Sequence, residues 1–344
     1  MSKKILFVFL GITLLFVSGN LFAQRGRVQA DTVEVKIGSP LPRESPWGRT
    51  LDRIASEWNR ITNGQVRLNV RHGGIEGSES KMLLSLASDN IQAGIFTPFG
   101  LSAIDPAIMT LSVPFLIRNE RELDAVMNEL QRDLESRINS GSYFLLAWSK
   151  SGFVNIFSKD PVFTPDEIKR MRVASNPDSS EMNTAFKTMG FQIVESEWSD
   201  MGNKLNAGTV HAAYQSPAAV AAFQLQSILK NMLATNIAPV VGGIVMNQVT
   251  WRKIGDLNPR YQQELLTTTR KIAAEFDASI TKTVNDAVQA MVRTGLKVNR
   301  PTAAQEQLWY NDVDRVVPSL LGTTYNRDLY QRITTILTRV RGGR

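Results

Sequence analysis

The sequence predicts an α/β protein of two lobes joined by one long helix, and three observations carry that expectation. Apolar runs of strand length alternate with helical periodicities from Val33 to Met246. Residues 259–294 then hold one unbroken helical pattern, with no glycine and no proline after Pro259. The chain has 344 residues, more than a single hydrophobic core usually supports.

The elements follow in order. Val33–Ile37 reads as a buried strand, stopped by Pro40 and Pro42. Ser45 then serves as an N-cap with Pro46 in the first helical turn. Trp47, Leu51, Ile54, Trp58 and Ile61 follow at helical spacing and form that helix's buried face. Asn63-Gly64 ends it, and Val66–Val70 alternates as a strand, so the first two strands pair in parallel. A helix over Ser78–Ala87 and a strand over Ile91–Phe96 repeat the pattern. Asn119 with Glu122 opens a helix that runs to Ile138. Tyr143–Trp148 and Val154–Phe157 read as two strands, and Thr164–Glu167 as a second cap with proline in its first turn. Met171–Ala174 and Phe191–Val194 are strands flanking a helix over Ser179–Met189. After the apolar strand Val240–Met246, helices over Ala303–Leu320 and Arg327–Val340 complete the chain. The long helix reaches up to about 50 Å at 1.5 Å per residue, enough to bridge two lobes. The expected division is residues 31–150 plus about 240–260 for the first lobe. Residues 151–239 plus about 300–340 form the second, and 259–294 the bridge.

Composition narrows the setting. Lys3 and Lys4 precede the apolar stretch Ile5–Val17, and a small residue, Ala23, follows. That is the form of a signal peptide over residues 1–23; the apolar stretch falls short of the roughly 20 residues a span needs. Losing that segment, which holds no acid, takes the net charge from +7 to +5. The other basic residues are dispersed rather than clustered, so no nucleic-acid partner is expected. Arg339, Arg341 and Arg344 read as a solvated basic tail. Cysteine is absent, which removes disulfides, thiolate metal sites and cysteine nucleophiles. The expected protein is exported to the periplasm and soluble there.

Catalytic signatures are missing. The two histidines, His72 and His211, lie far apart, and no nucleophile elbow, P-loop or dinucleotide fingerprint is present. Glu195 and Glu197 are a candidate carboxylate pair, against the plainer reading of two solvated acids. No enzyme, cofactor or metal is expected, although an envelope enzyme built on Glu195, Glu197 or His211 stays open.

Several segments carry a family resemblance. VKIGSPLPRESPWGRTLDRIASEWNRITNGQVRLNV, GGIEGSESKMLLSL, LSVPFLIRNERE, IKRMRVASNPDSSEMNTAFKTMG, NAGTVHAAYQSP and VVGGIVMNQVTWRKIGDLNP occur in this order. Together they resemble the solute-binding proteins of TRAP (tripartite ATP-independent periplasmic) transporters, of the dicarboxylate-receptor type. The resemblance implies a two-lobed periplasmic binding-protein fold with the ligand cleft between the lobes. It also implies closure around a small organic solute, delivery to integral-membrane permease subunits, and room for an additional periplasmic protein among the partners. A sensor that reports its ligand state to a membrane receptor is the alternative.

The resemblance also marks residues. Arg172 stands where the family's strand arginine takes a ligand carboxylate, and a guanidinium fork suits that task. Arg170 shares its face, and an ordinary surface pair is the competing reading. Val154 stands where a second family arginine is frequent, and Tyr214 and Gln215 fall at the family's "ENP" turn, with His211 nearby. Loss of a cation from a buried site disfavours a dianion, so the expected solute is monoacidic or largely apolar. From the residues themselves, Ser39, Thr97 and Phe99 follow apolar strands, where open α/β sheets hold ligands. Trp148, Phe153 and Trp198 are candidate apolar walls, with core packing the alternative for each.

Overall fold

The structure is a computed structural model. It describes residues 32–342 except Ser179, and at Trp198 and Ser199 it describes the backbone without the side chains. The expected signal segment, 1–23, lies outside the described residues.

The first lobe opens as its sequence dictates. β1 (Val33–Gly38) leads to α1 (Pro46–Ile61), where the Ser45 hydroxyl accepts the Gly48 amide and Pro46 starts the helix. β2 (Val66–Arg71), α2 (Glu79–Ala87), β3 (Ala93–Phe96) and α3 (Pro98–Ile104) follow. A short 3-10 segment, Pro106–Ser112, precedes α4 (Glu120–Asn139). Strands β1–β2 and β1–β3 pair in parallel, as the crossover helices require.

β4 (Tyr143–Ser158) is one 16-residue strand where the sequence reads as two. Its register against β9 shifts between Lys150 and Phe153, and Gly152 sits there at φ +80°. A glycine accepts that left-handed backbone without the Cβ penalty, so the chain kinks and continues as a strand. Beyond the kink β4 enters the second lobe. α5 (Pro165–Lys169), β5 (Arg172–Ser175), α6 (Ser180–Thr188), β6 (Gln192–Glu195), α7 (Trp198–Asn206), β7 (Ala212–Gln215), α8 (Pro217–Ala222) and β8 (Asn231–Leu233) build that lobe. β9 (Ala238–Asn247) returns antiparallel to β4 and ends beside β3. The strand order is β2-β1-β3-β9-β4-β7-β5-β6, so β4 and β9 are the two strands that run through both halves.

α9 (Gln248–Leu257) and α10 (Pro259–Arg293) come next. α10 has 35 residues, about 52 Å at 1.5 Å each. Its Leu265, Ile272, Phe276 and Ile280 pack into the first lobe's core with Trp47, Leu51 and Val35. Met291, near its other end, packs with Val220 and Leu229 of the second lobe. The Trp58 indole ties α1 to the same helix through Thr269 at 2.8 Å.

β10 (Lys297–Asn299), α11 (Ala303–Leu320) and α12 (Arg327–Gly342) close the chain. α11 joins the second lobe's core through Trp309, Val313 and Val316. The sequence groups α12 with that lobe, but α12 packs on α4: Leu329, Ile333, Ile336 and Leu337 meet Leu130 and Leu134 in the first lobe's core. Its end is exposed but ion-paired. Arg341 pairs with Glu122 at 2.8 Å and Arg339 with Glu129 at 2.9 Å, while Arg344 lies outside the described residues. Among the described residues no helix is long and apolar enough to cross a membrane.

Candidate functional site

Parallel strands send their following loops to one end of a sheet, so a cleft between two such sheets is lined by strand ends. Here both lobes meet that way. Pro40 and Leu41 follow β1, and Thr97 and Phe99 follow β3; Ser175 ends β5, Asn176 and Asp178 follow it, and Ser216 follows β7. With the kinked part of β4, the middle of α10 and the start of α8, they enclose a cavity of about 170 Å3. That is slightly larger than an apolar cavity of about 150 Å3 known to hold a benzene-sized guest.

One wall is aromatic. The rings of Trp47 and Phe276 lie 4.2 Å apart, and the Trp47 indole donates to the Ser151 hydroxyl at 2.9 Å. Ile280, Phe99 and Val154 extend the apolar lining. Neutral polar groups supply the remainder: Ser112, Ser149, Ser175, Asn176, Tyr214 and Gln215. The Ser112 hydroxyl is buried and has no hydrogen-bond partner among the described residues. Burial raises the Tyr214 phenol well above its usual range, so it stays neutral.

The charged lining is acidic. Glu79, 7% exposed, uses Oε2 to accept from the Thr97 amide (3.0 Å), the Thr97 hydroxyl (3.1 Å) and the Gly100 amide (2.9 Å). Burial pushes its carboxyl up to about 7 against the pull of those hydrogen bonds, and Asp178 adds to the rise. Asp178 comes from the second lobe and crosses to the start of α2. There it accepts from the Glu79 amide at 3.0 Å and the Ser80 hydroxyl at 2.6 Å. Among the described residues, no lysine, arginine or histidine lines the cavity.

The sequence-derived candidates divide accordingly. Thr97, Phe99, Val154, Tyr214 and Gln215 line the cavity together. Ser39 does not: it is fully buried, and the next two residues form the wall instead. Trp148 and Phe153 sit in the first lobe's core, on the face of β4 opposite Ser149 and Val154. The side chain of Trp198 lies outside the described residues. Arg172 is the main correction. It begins β5, about 10 Å along the strand from Ser175, and therefore stands at the wrong end of the sheet. Its guanidinium is exposed and donates to the carbonyls of Thr209 (2.5 Å) and Gly208 (2.7 Å).

The alternative catalytic residues are dispersed. Glu195 is exposed, 3.5 Å from Lys187, and Glu197 is exposed at the start of α7. His211 accepts the Arg172 amide through Nδ1, and His72 contacts Asp52 at 2.9 Å. Among the described residues no three metal-ligating side chains are grouped to hold an ion.

Sequence reasoning missed Glu79, Ser112, Ser175, Asn176, Trp47, Phe276 and Ile280. Ser175 and Asn176 carried the same signal as Thr97, an apolar strand just before them. Trp47, Phe276 and Ile280 read as the buried faces of helices, and they are; the cavity borders those faces.

The comparisons agree with this fold. A "Solute-binding protein" of Chromohalobacter salexigens is 21% identical over 268 residues, 75% of this chain and 76% of its own length. A TRAP periplasmic solute-binding protein of Ralstonia eutropha H16, solved with bound (S)-2-acetolactate, superposes with a TM-score of 0.82 at 18% identity. The match covers 89% of this chain and 99% of that one. A TRAP protein of Chromohalobacter salexigens with bound D-glucuronate gives a TM-score of 0.80 at 17% identity, covering 88% and 99%. The model of "Bacterial extracellular solute-binding protein, family 7" matches residues 37–322. The chain therefore belongs to that family, the solute-binding proteins of TRAP transporters.

Proposed function

We propose that this protein is the extracytoplasmic receptor of a TRAP-type secondary transporter. It closes two lobes around a small organic acid with a single carboxylate and hands it to the membrane permease. The observation that carries this reading is the cavity itself, enclosed between the strand ends of both lobes and spanned by α10. β4, β9, α10 and the link from α11 to α12 run between the lobes, and Gly152 marks where β4 bends. Such connections permit hinge closure. Nothing in the site calls for bond-breaking chemistry.

The lining sets the solute class. With no cation in the lining, each solute carboxylate is a charge without a counter-charge in a poorly solvated place, and a second one doubles that cost. A dianion is therefore disfavoured. Of the two solutes the sequence allows, the monoacid is favoured over the largely apolar molecule. Two solved relatives hold acetolactate and glucuronate, each with one carboxylate, and two others hold the dicarboxylates L-malate and succinate; all of these ligands are acids. In this chain Ser112, Tyr214 and Gln215 offer neutral donors to its oxygens, and Trp47, Phe276 and Val154 cover its carbon skeleton.

Thermal unfolding with a panel of monocarboxylates and dicarboxylates tests the reading. A monocarboxylate at one hundred times its Kd should stabilise by about 2.7 kcal/mol, or about 4 °C for a chain this long. A panel in which only dicarboxylates, or only uncharged solutes, shift the transition would refute it.

A further inference from the structure

A solute carboxylate entering this cavity meets two protein carboxylates and no cation. Some proton must resolve that conflict, and the geometry indicates where it goes. Asp178 has both oxygens engaged by donors at the start of α2, where the helix dipole favours negative charge. Glu79 differs. Three donors crowd its Oε2, while Oε1 accepts from no donor among the described residues, and the side chain lines the cavity. When a carboxyl with one oxygen saturated by donors is protonated, the proton sits on the other oxygen.

We propose that Glu79 binds the solute as a neutral carboxylic acid, donating from Oε1 to a solute oxygen, so that capture of an organic acid takes up one proton from water. The inference rests on the organic-acid reading above and assigns the group that replaces the missing guanidinium.

The surroundings support it. Burial already brings this carboxyl near 7. Asp178, the charged group facing it from the second lobe, reaches it only when the lobes are together, so closure itself favours protonation. β3, α3 and β9, which pack on α2, carry no charged residue. Lys81 lies on the exposed side of α2 against Gly77, and Glu76 is paired with Arg71 at 3.1 Å. Among the described residues no cation in the cavity lining competes for the role.

The test is calorimetric titration with D-glucuronate, and with short 2-hydroxy and 2-oxo monocarboxylates, from pH 6 to 8.5. Each is run in two buffers of different ionisation enthalpy to count protons. These solutes remain ionised throughout. The expected result is uptake approaching one proton per solute at pH 8, with affinity falling about tenfold per pH unit above 7. Glu79→Gln, whose carbonyl can accept the same three donors while its amide donates into the cavity, should bind with no proton uptake and with affinity independent of pH. Binding by the wild type without proton uptake overturns the inference and leaves the organic-acid reading standing. Uptake that persists unchanged in the Gln variant also overturns it. Failure of every acid to bind at any pH overturns both. The wild-type proton count decides the matter even if the variant does not fold.

Discussion

Glu79→Gln also makes a prediction about the protein without solute, and its size follows from the structure. The carboxyl titrates near 4.5 in an unfolded chain and near 7 in this fold, where burial disfavours the charge. Between those values the folded state keeps a proton that the unfolded state has released. Stability must therefore fall as pH rises through that window, and it is lowest above pH 7. At 1.36 kcal/mol per unit the whole effect is about 3 kcal/mol. For roughly 310 folded residues, an unfolding entropy near 0.65 kcal/mol/K converts this to between about 4 and 5 °C. Gln cannot ionise, so its melting temperature should equal the wild type's near pH 4 and exceed it by that margin at pH 8. Asp277 will keep some pH dependence in the variant. It is held at about 7 by burial, against the pull of a hydrogen bond from the Lys150 amide at 2.9 Å. Differential scanning calorimetry at unit pH steps from 4 to 8 measures the difference directly. A gap between the two proteins that does not change with pH would refute the reasoning, because it would show that Glu79 is not a buried titrating group.

Other substitutions separate the site from the scaffold. Gly242→Ala places a Cβ 2.3 Å from the Phe96 carbonyl oxygen. Backbone must move, and denaturant unfolding should show a loss on the order of 1–3 kcal/mol. Arg172→Ala should leave solute affinity unchanged, measured by calorimetric titration, and cost about 1 kcal/mol of stability or less from two exposed hydrogen bonds. Ala219→Trp sets an indole into the cavity from α8; binding should be abolished while circular dichroism and cooperative unfolding persist. Gly152→Ala forces a Cβ onto φ +80° and within 3.2 Å of Val284. It should lower stability by about 1 kcal/mol and alter closure rates in stopped-flow binding.

Much of this fold is legible because its local signals agree. Ser45-Pro46 caps α1 as written, and the unbroken pattern of residues 259–294 becomes α10 at nearly those bounds. What the sequence hides is tertiary. The apolar stripe of α12 announces a buried face but not which partner covers it; the Arg341–Glu122 and Arg339–Glu129 pairs with α4 appear only in three dimensions. The kink in β4 looks like a gap between two strands, since Ser149–Gly152 lacks apolar residues; in the structure those serines face the cavity. Arg172 misleads for a geometric reason. A cleft at the carboxyl ends of parallel strands is reached by the last residues of β5, whereas Arg172 is its first. Thr97 and Phe99 follow their strand and are placed by the same rule that Ser175 and Asn176 obey.

The most direct test of the account is a crystal structure of the protein with the tightest-binding monocarboxylate of the panel. The account predicts the solute enclosed between the lobes, its carbon skeleton against Trp47 and Phe276, its oxygens among Ser112, Gln215 and Glu79, and Arg172 far from it. A solute held by the Arg172 guanidinium, with the cavity between the strand ends left empty, would contradict it.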